Sequence, residues 1–534
     1  MLKNNAEIVV DALERTGVRY LFGYPGGQNA RFIEALRGSR IEFVLVTHEA
    51  SAGFMADVCA RLTGTVGTCL STLGPGATNM TTGVGNAFLD RVPLLAFTAR
   101  MGKPWQGRTV QMQIDHRKLY APITKWSAAL ETGRIYSTLR KAVEVATAEQ
   151  PGPVHLDFPE DVADASSGEN PARFHPTPPS LPPFDQKALK RAIRLIQKSK
   201  RPLVAVGLTV NRAGATRELR AFIHKHRLPV VCTLMAKGQV AEEGASFVGV
   251  VGRAKWERVA ESCKPADLVI AIGYDPIEFN YEEWVPKDIP IIHIDTVGAD
   301  RDRGHAVPCN VVGNIRDILR ALSSVPTLRH CWDAQALREH RRKLRQALTP
   351  ARERFSPHHA IVAMRELFPK DGILTADVGA HTHLIGQLWE THRRGKLLVS
   401  NGWSSMGFGI PAAISAKLVQ PGRPVLACVG DGGFLMMVGE INTAVRLRLP
   451  VVFVLLRDNY LSLIKVKQSR KGFQPHGVEI FGSDYRPSDN FFGASVVPVD
   501  TEESFREALK QALQGTEPVI IDALVDPTEY EAMI

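Results

Sequence analysis

A chain of 534 residues, 44% apolar and 22% charged, is long enough for about three domains with substantial cores. Its net charge of +10 is thinly spread, densest over residues 338–345 and 465–471, and no nucleic-acid motif interleaved with aromatics accompanies it, which argues against an RNA or DNA groove. No apolar run reaches the roughly 18 residues of a membrane span, the N-terminus enters an amphipathic pattern directly, and the seven cysteines form no CxxC pair, so the expectation is a cytoplasmic enzyme with buried thiols and no membrane contact.

From residue 6 to 154, short apolar runs alternate with helical periodicity, the signature of a doubly wound parallel sheet. Residues 20–22 read as a strand entering the turn Gly23-Tyr24-Pro25-Gly26-Gly27. Residues 41–47 form the next, with His48-Glu49 at its end and a helix predicted over 50–62. Residues 65–72 lead into Leu73-Gly74-Pro75-Gly76-Ala77-Thr78-Asn79, and 92–98 form a fourth strand. Glu49 stands out among apolar neighbours, because a buried carboxylate is costly without a partner. By itself it reads equally as a salt-bridged structural acid. Residues 107–126 are irregular and read as an active-site loop.

Pro171, Pro176, Pro178, Pro179, Pro182 and Pro183 mark a stiff extended linker. A second α/β unit follows, with strands near 203–207, 229–233, 266–273, 289–295 and 310–312. It carries no GxGxxG, and its fold alone does not supply a ligand. Residues 332–355 read as a charged connecting helix. In the third unit, residues 372–376 end in Asp377-Val378-Gly379-Ala380-His381, and a small-residue turn occupies 401–411. A strand over 424–429 ends in Gly430-Asp431-Gly432-Gly433, and helical periodicity runs from 434 to 447 with Glu440 inside it. A further strand over 449–456 ends in Arg457-Asp458-Asn459-Tyr460. Asp431 and Asp458, 27 positions apart (458 − 431), would emerge at one carboxyl edge of a parallel sheet. Two carboxylates beside a Gly-rich turn suit Mg²⁺ and a diphosphate.

This pair resembles the diphosphate-anchoring motif of thiamine diphosphate enzymes, with Asp431 opening it and Asp458 closing it. The resemblance covers nearly the whole chain. It implies three doubly wound parallel-sheet α/β domains: a pyrimidine-binding domain over 1–170, the linker 171–185, a central Rossmann-like domain over 186–330, the connecting helix 331–355, and a diphosphate-binding domain over 356–534. It implies thiamine diphosphate and Mg²⁺ as cofactors, with Asp431, Asp458 and the Tyr460 carbonyl as metal ligands. Gly430, Gly432, Gly433, Gly379 and His381 would contact the diphosphate. The Ser404 carbonyl would bind the pyrimidine, and Met406 would hold the cofactor in its V shape. Gly74 and Asn79 would line the aminopyrimidine side, and Tyr24, Pro25 and Gly26 would also contact the cofactor. Glu49 would hydrogen-bond its N1′ and drive the imino tautomer that removes the thiazolium C2 proton, a relay suited to a buried acid.

Within that family the chain is similar to the FAD-free acetolactate synthases. Gly273-Tyr274-Asp275-Pro276-Ile277-Glu278 replaces the Arg-Phe-Asp-Asp type loop of FAD-binding relatives, and Asp rather than Asn stands at 458. FAD is therefore not expected. The implied reaction is decarboxylation of pyruvate and ligation of the remaining two-carbon unit to a second 2-keto acid, giving 2-acetolactate. The implied assembly is at least a homodimer, with a tetramer compatible, because the family's two motif halves meet across a subunit interface. A substrate-side Gln is usual in the loop at 107–126; the register places Met112 there, leaving Gln111 and Gln113 as alternatives. Leu463 and Lys467, one helical turn apart, are predicted to face the acceptor, and a cation at 467 implies no strong preference for 2-ketobutyrate. Other readings are a 2-keto acid decarboxylase or acyl-CoA lyase using the same cofactor, or a non-catalytic paralogue, against which the relay acid argues.

Overall fold

The computed structural model describes residues 3–177, 180–181, 183–299, 305–351, 354–393, 395–482 and 485–534. They form three α/β units, each built on a sheet that is wholly or almost wholly parallel. The first contains β1 (Tyr20–Gly23), β2 (Glu42–Leu45), β3 (Gly67–Ser71), β4 (Leu94–Arg100), β5 (Trp126–Ala129) and β6 (Pro153–Pro159), in the order β2-β1-β3-β4-β6-β5. The second contains β7 (Pro202–Val206), β8 (Val230–Cys232), β9 (Phe247–Val250), β10 (Leu268–Ile272), β11 (Ile291–Asp295) and β12 (Cys309–Val312), in the order β12-β11-β10-β7-β8-β9. The third contains β13 (Ile373–Ala376), β14 (Leu397–Val399), β15 (Val425–Gly430), β16 (Val452–Arg457), β17 (Asn490–Phe491), β18 (Ala494–Val499) and β19 (Val519–Leu524). Its order is β14-β13-β15-β16-β19-β18-β17, with only β17 antiparallel.

Without the short β17, the first and third sheets have the same topology. Each reverses its winding beside its first strand, between β1 and β3 and between β13 and β15. Such a reversal opens a crevice at the carboxyl edge where loops diverge to opposite faces. The second sheet winds in the dinucleotide-fold order instead. The central strands are continuous apolar runs because helices cover both faces; β15 (VLACVG) and β16 (VFVLLR) are buried almost throughout.

The first and third units share one core. Phe54, on the helix Glu49–Thr63, meets Phe408 edge-on with centroids 5.6 Å apart. Phe22, Val84, Ile414 and Phe453 belong to the same buried cluster. The helix Glu49–Thr63 also packs closely on Pro75–Leu89: a Cβ at Gly53 would lie 2.6 Å from Gly83 Cα.

Several predicted bounds shift. The connecting helix is Ala334–Ala347, shorter than its charged stretch. The periodicity over 434–447 is broken: Asp431–Met437 and Ile441–Arg446 are joined by a 3₁₀ turn at Val438–Glu440. The irregular loop holds a short helix, His116–Tyr120, and ends as β5 begins at Trp126. The linker includes a 3₁₀ turn at Pro171–Arg173, while Pro178, Pro179 and Pro182 lie outside the described residues. Among the described residues no helix is long and apolar enough to cross a membrane.

Candidate active site

The third sheet places the predicted acidic pair together. Gly430 of β15 registers with Leu456 of β16, so Asp431 and Asp458 leave adjacent strand ends. Asp431 is 2% and Asp458 9% exposed. The Asp458 N–H donates to Asp431 Oδ2 at 3.1 Å, while Asp431 Oδ1 is buried with no partner. Asp458 accepts from the Tyr460 N–H at 2.9 Å and from the Ser462 hydroxyl at 2.7 Å. Burial, and then the facing carboxylate of Asp458, push the Asp431 carboxyl well above the usual range; burial raises Asp458 as well. Two buried carboxylates with an orphaned oxygen have the chemistry of a divalent-cation site, since a cation removes both the desolvation and the repulsion costs.

The surrounding turn admits close backbone approach. A Cβ at Gly432 would collide with Met406 Cε and Leu461 Cδ2, and one at Gly433 with the Asp377 carboxylate. His381 lies over Gly430, with Cε1 and Nδ1 both 3.3 Å from where a Cβ would stand, and Gly379 backs the same ring. Burial pushes the His381 imidazole down to about 4, and its Nε2 has no partner. A neutral ring with a free nitrogen can serve a phosphate oxygen as a hydrogen-bond donor.

Asp377 organises the 401–411 turn. Its carboxylate accepts from Gly407 N–H at 2.9 and 3.1 Å, from Gly409 N–H at 3.3 Å and from Val378 N–H at 2.6 Å. Burial raises it to about 6. Ser404, at φ 51, and Gly407, at φ 86, are left-handed and turn the chain sharply on either side of the half-buried Met406. Tyr460 bridges to Glu479, and its ring lies under Lys465 Nζ at 3.5 Å.

The other predicted residues gather on the first sheet. Glu49, 8% exposed, opens its helix after the N-cap His48 and accepts from Asn79 Nδ2 at 3.0 Å. A Cβ at Gly76 would stand 3.0 Å from Glu49 Oε1 and 2.9 Å from Thr72 Cγ2, and one at Gly26 would collide with Thr72. Gly74, at φ 60, presses on Met112, so the 107–126 loop closes this crevice with Met112. Gln111 and Tyr24 are exposed, as is Pro25, whereas Gln113 is half-buried with Oε1 unpartnered. Leu463 packs partly on the core, and Lys467 is exposed on the helix Ser462–Arg470.

Four residues of this region went unassigned in the sequence. Thr72 lies between Gly26 and Gly76. Asp377 holds the turn just described. Asp90 accepts from Gly402 N–H at 2.7 Å and Asn401 N–H at 3.2 Å, and pairs with Arg61 at 2.9 Å. Glu440 Oε1 accepts from Thr47 N–H and hydroxyl, both at 2.7 Å, and from His48 N–H at 3.2 Å. Only the Asp type at a strand end signalled Asp377. The others are defined by partners remote in sequence.

Comparison with known proteins agrees with this geometry. Residues 3–119 match the profile of the thiamine pyrophosphate (thiamine diphosphate) enzyme N-terminal TPP binding domain, 189–322 the central domain, and 377–523 the C-terminal TPP binding domain. A probable acetolactate synthase large subunit of Methanocaldococcus jannaschii is 32% identical across 99% of this chain and 93% of that protein. An acetolactate synthase of Bacillus subtilis is 30% identical across 98% of this chain and 94% of its own length. The catabolic acetolactate synthase of Raoultella terrigena is 28% identical across 98% of this chain and 95% of its own. Fold and matches together define a thiamine diphosphate-dependent enzyme. The chain belongs to the thiamine pyrophosphate enzyme family, as an acetolactate synthase-like member.

Proposed function

We propose that this enzyme decarboxylates pyruvate and joins the remaining two-carbon unit to a second 2-keto acid, forming 2-acetolactate when that acid is pyruvate. The observation that carries the reading is the pair of buried carboxylates at Asp431 and Asp458, with an oxygen left unpartnered beside a turn no side chain could occupy. The names of the full-length relatives support the product. Bound thiamine diphosphate supplies a thiazolium that takes up the electron pair released as CO₂ leaves.

The protein's part is positioning and proton control. Asp431, Asp458 and the Tyr460 carbonyl would hold Mg²⁺, and Gly430, Gly432, Gly433, Gly379 and His381 would receive the diphosphate. Met406 would wedge the cofactor while the Ser404 carbonyl fixes its pyrimidine. Glu49 would hold and return a proton at N1′, steadied by Asn79, with Tyr24, Pro25, Gly26 and Gly74 around it. Gln113, with its unpartnered buried oxygen, is the stronger substrate-side candidate over Gln111. Holding reacting atoms in register in this way lowers the barrier chiefly through proximity.

Glu49 takes its hydrogen bond from Asn79 of its own α/β unit, and Leu435 and Met436, just past the acidic turn, are 46% and 57% exposed. Both fit an active unit of at least two chains, in which the acid of one serves the turn of the other. No flavin is expected, since decarboxylation with ligation has no net redox step.

The test is to incubate the protein with pyruvate, thiamine diphosphate and Mg²⁺ and identify products by mass. 2-Acetolactate is the expected product; acetaldehyde alone would make the enzyme a simple decarboxylase.

A further inference from the structure

The start of the helix Glu49–Thr63 is gripped by the segment that leaves the acidic turn of the third unit. Glu440 closes the 3₁₀ turn Val438–Glu440 and is fully buried. Its Oε1 takes three donors from the two residues before Glu49: the Thr47 N–H and hydroxyl at 2.7 Å and the His48 N–H at 3.2 Å. Its Oε2 accepts from the Thr443 hydroxyl at 2.7 Å. The same segment reaches the first unit twice more. Arg446 Nη2 donates to the Leu45 carbonyl, and the Ser51 hydroxyl lies 3.2 Å from Met437 Sδ. A Cβ at Gly439 would stand 3.2 Å from Thr47 Oγ1, so the turn lies directly against the end of β2.

An acid that merely tied two units together could land anywhere on the first. Glu440 lands where the chain turns from β2 into the helix, on the two backbone N–H groups that precede Glu49. Thr47 and His48 are exposed in the single chain, so water could serve those groups. Burying a carboxylate for them is costly, and what it adds is a fixed geometry. His48 Nδ1 holds the Ala50 N–H at 3.1 Å from the other side. Glu49, the first helical residue, therefore leaves a backbone held on both flanks, and its carboxyl meets Asn79 Nδ2 at 3.0 Å.

We propose that Glu440 is a positioning residue for Glu49, fixing the backbone at 47–48 so that the Glu49 carboxyl stands ready for N1′ of the aminopyrimidine. This rests on the proton-relay and two-chain readings above. If the acid of one chain serves the metal turn of the other, Asp431 and Glu440 of a single chain act in different sites.

The experiment uses the full chain with thiamine diphosphate and Mg²⁺, and turnover is read as CO₂ released from pyruvate, so that it does not depend on ligation. Glu440→Ala is expected to lower kcat by about tenfold or more, because small misplacements of reacting groups cost that much. Cofactor affinity by calorimetry and the KM for pyruvate are expected to stay near wild type. Glu440→Gln keeps an oxygen for the three donors but loses the charge that strengthens those bonds, and its kcat is expected to lie between the two. Amide hydrogen exchange, which needs no turnover, is expected to quicken at residues 47–50 in both variants. If Glu440→Ala does not fold, Glu440→Gln carries the test. Unchanged kcat or unchanged exchange in the folded variants would overturn the inference, as would a loss of cofactor affinity large enough to explain the lost turnover.

Mixed dimers of a Glu49→Gln chain and an Asp431→Ala chain assign the effect to a site. Their one complete site takes Glu49 from the Asp431→Ala chain and Asp431 from the other. Glu440→Ala is expected to slow that site when placed on the Asp431→Ala chain and to spare it on the Glu49→Gln chain. The reverse pattern would mean that Glu440 acts on the metal turn, and the inference fails. If the mixed dimer with Glu440 intact is inactive, the two-chain reading fails and the single-variant comparison decides the role of Glu440. Release of CO₂ without 2-acetolactate would end the carboligase reading alone.

Discussion

At the scale of single residues, the two halves of the site ask for different chemistry. Glu49→Gln keeps an acceptor for Asn79 Nδ2 and keeps the side chain's size, but loses the exchangeable proton. Turnover is expected to fall about 10²–10⁴-fold with cofactor affinity nearly unchanged; near-normal turnover would remove Glu49 from the proton relay. Asp431→Ala removes one of the proposed oxygen ligands and strands the buried Asp458 N–H. Calorimetry should then show loss of Mg²⁺-dependent thiamine diphosphate binding, and unchanged affinity would reduce the motif to a turn. Glu49 was singled out as an acid among apolar neighbours, and Asp431 and Asp458 because two acids follow two successive apolar runs, the first inside a Gly-rich turn. Asp377, Glu440 and Arg253 were not. Their partners at 407–409, 47–48 and 401 come from other segments, and no local periodicity reports such pairings.

At the scale of elements, the loop carrying Gly74 is tied to the sheet through a buried polar network. The Gly74 N–H donates to His116 Nε2 at 3.2 Å, and His116 Nδ1 faces Asp157 Oδ1 at 3.0 Å. Thr98 Oγ1 stands 2.8 Å from both Asp157 Oδ1 and His155 Nε2, and Ser127 caps the other His155 nitrogen at 2.7 Å. Burial pushes His155 down to about 4 against the neighbouring Asp157 charge. The fold thus favours the neutral ring. Its contribution is complete above the ordinary imidazole value of 6.5 and is lost as pH falls toward about 4. The loss reaches about 3 kcal/mol at roughly 1.36 kcal/mol per pH unit. Thermal unfolding at pH 7 and pH 4.5 should show a larger drop for the wild type than for His155→Gln; equal drops would place the acid sensitivity elsewhere. Strands β1, β3, β10, β15 and β16 were readable as apolar runs closed by glycine, threonine or a charged residue. β5 is half-exposed along its length, and β9 is four residues interrupted by Gly249, so neither produces the apolar run that marks a buried strand.

At the scale of the whole molecule, two sheets of one topology each reverse their winding beside the first strand; Glu49 belongs to the first unit, and the Asp431–Asp458 pair leaves adjacent strand ends of the third. That repetition was only partly visible in the sequence, since similar strand order leaves no shared motif. The second sheet contributes Arg253 to the third, and its strand-end loop Gly273-Tyr274-Asp275 is filled by protein: Arg91 pairs with Asp275 at 2.9 Å, and Tyr274 is fully buried. The gently purified protein is therefore expected to be colourless, and a stoichiometric flavin absorbance would contradict this. One working site is proposed to draw Glu49 and the Asp431 turn from different chains. Glu49→Gln and Asp431→Ala chains carrying different tags can be co-expressed and the mixed dimer purified through both tags. Each parent should be nearly inactive, while the mixed dimer keeps one intact site of two and should recover about half of wild-type acetolactate formation. A mixed dimer as inactive as its parents would show that both halves must lie on the same chain.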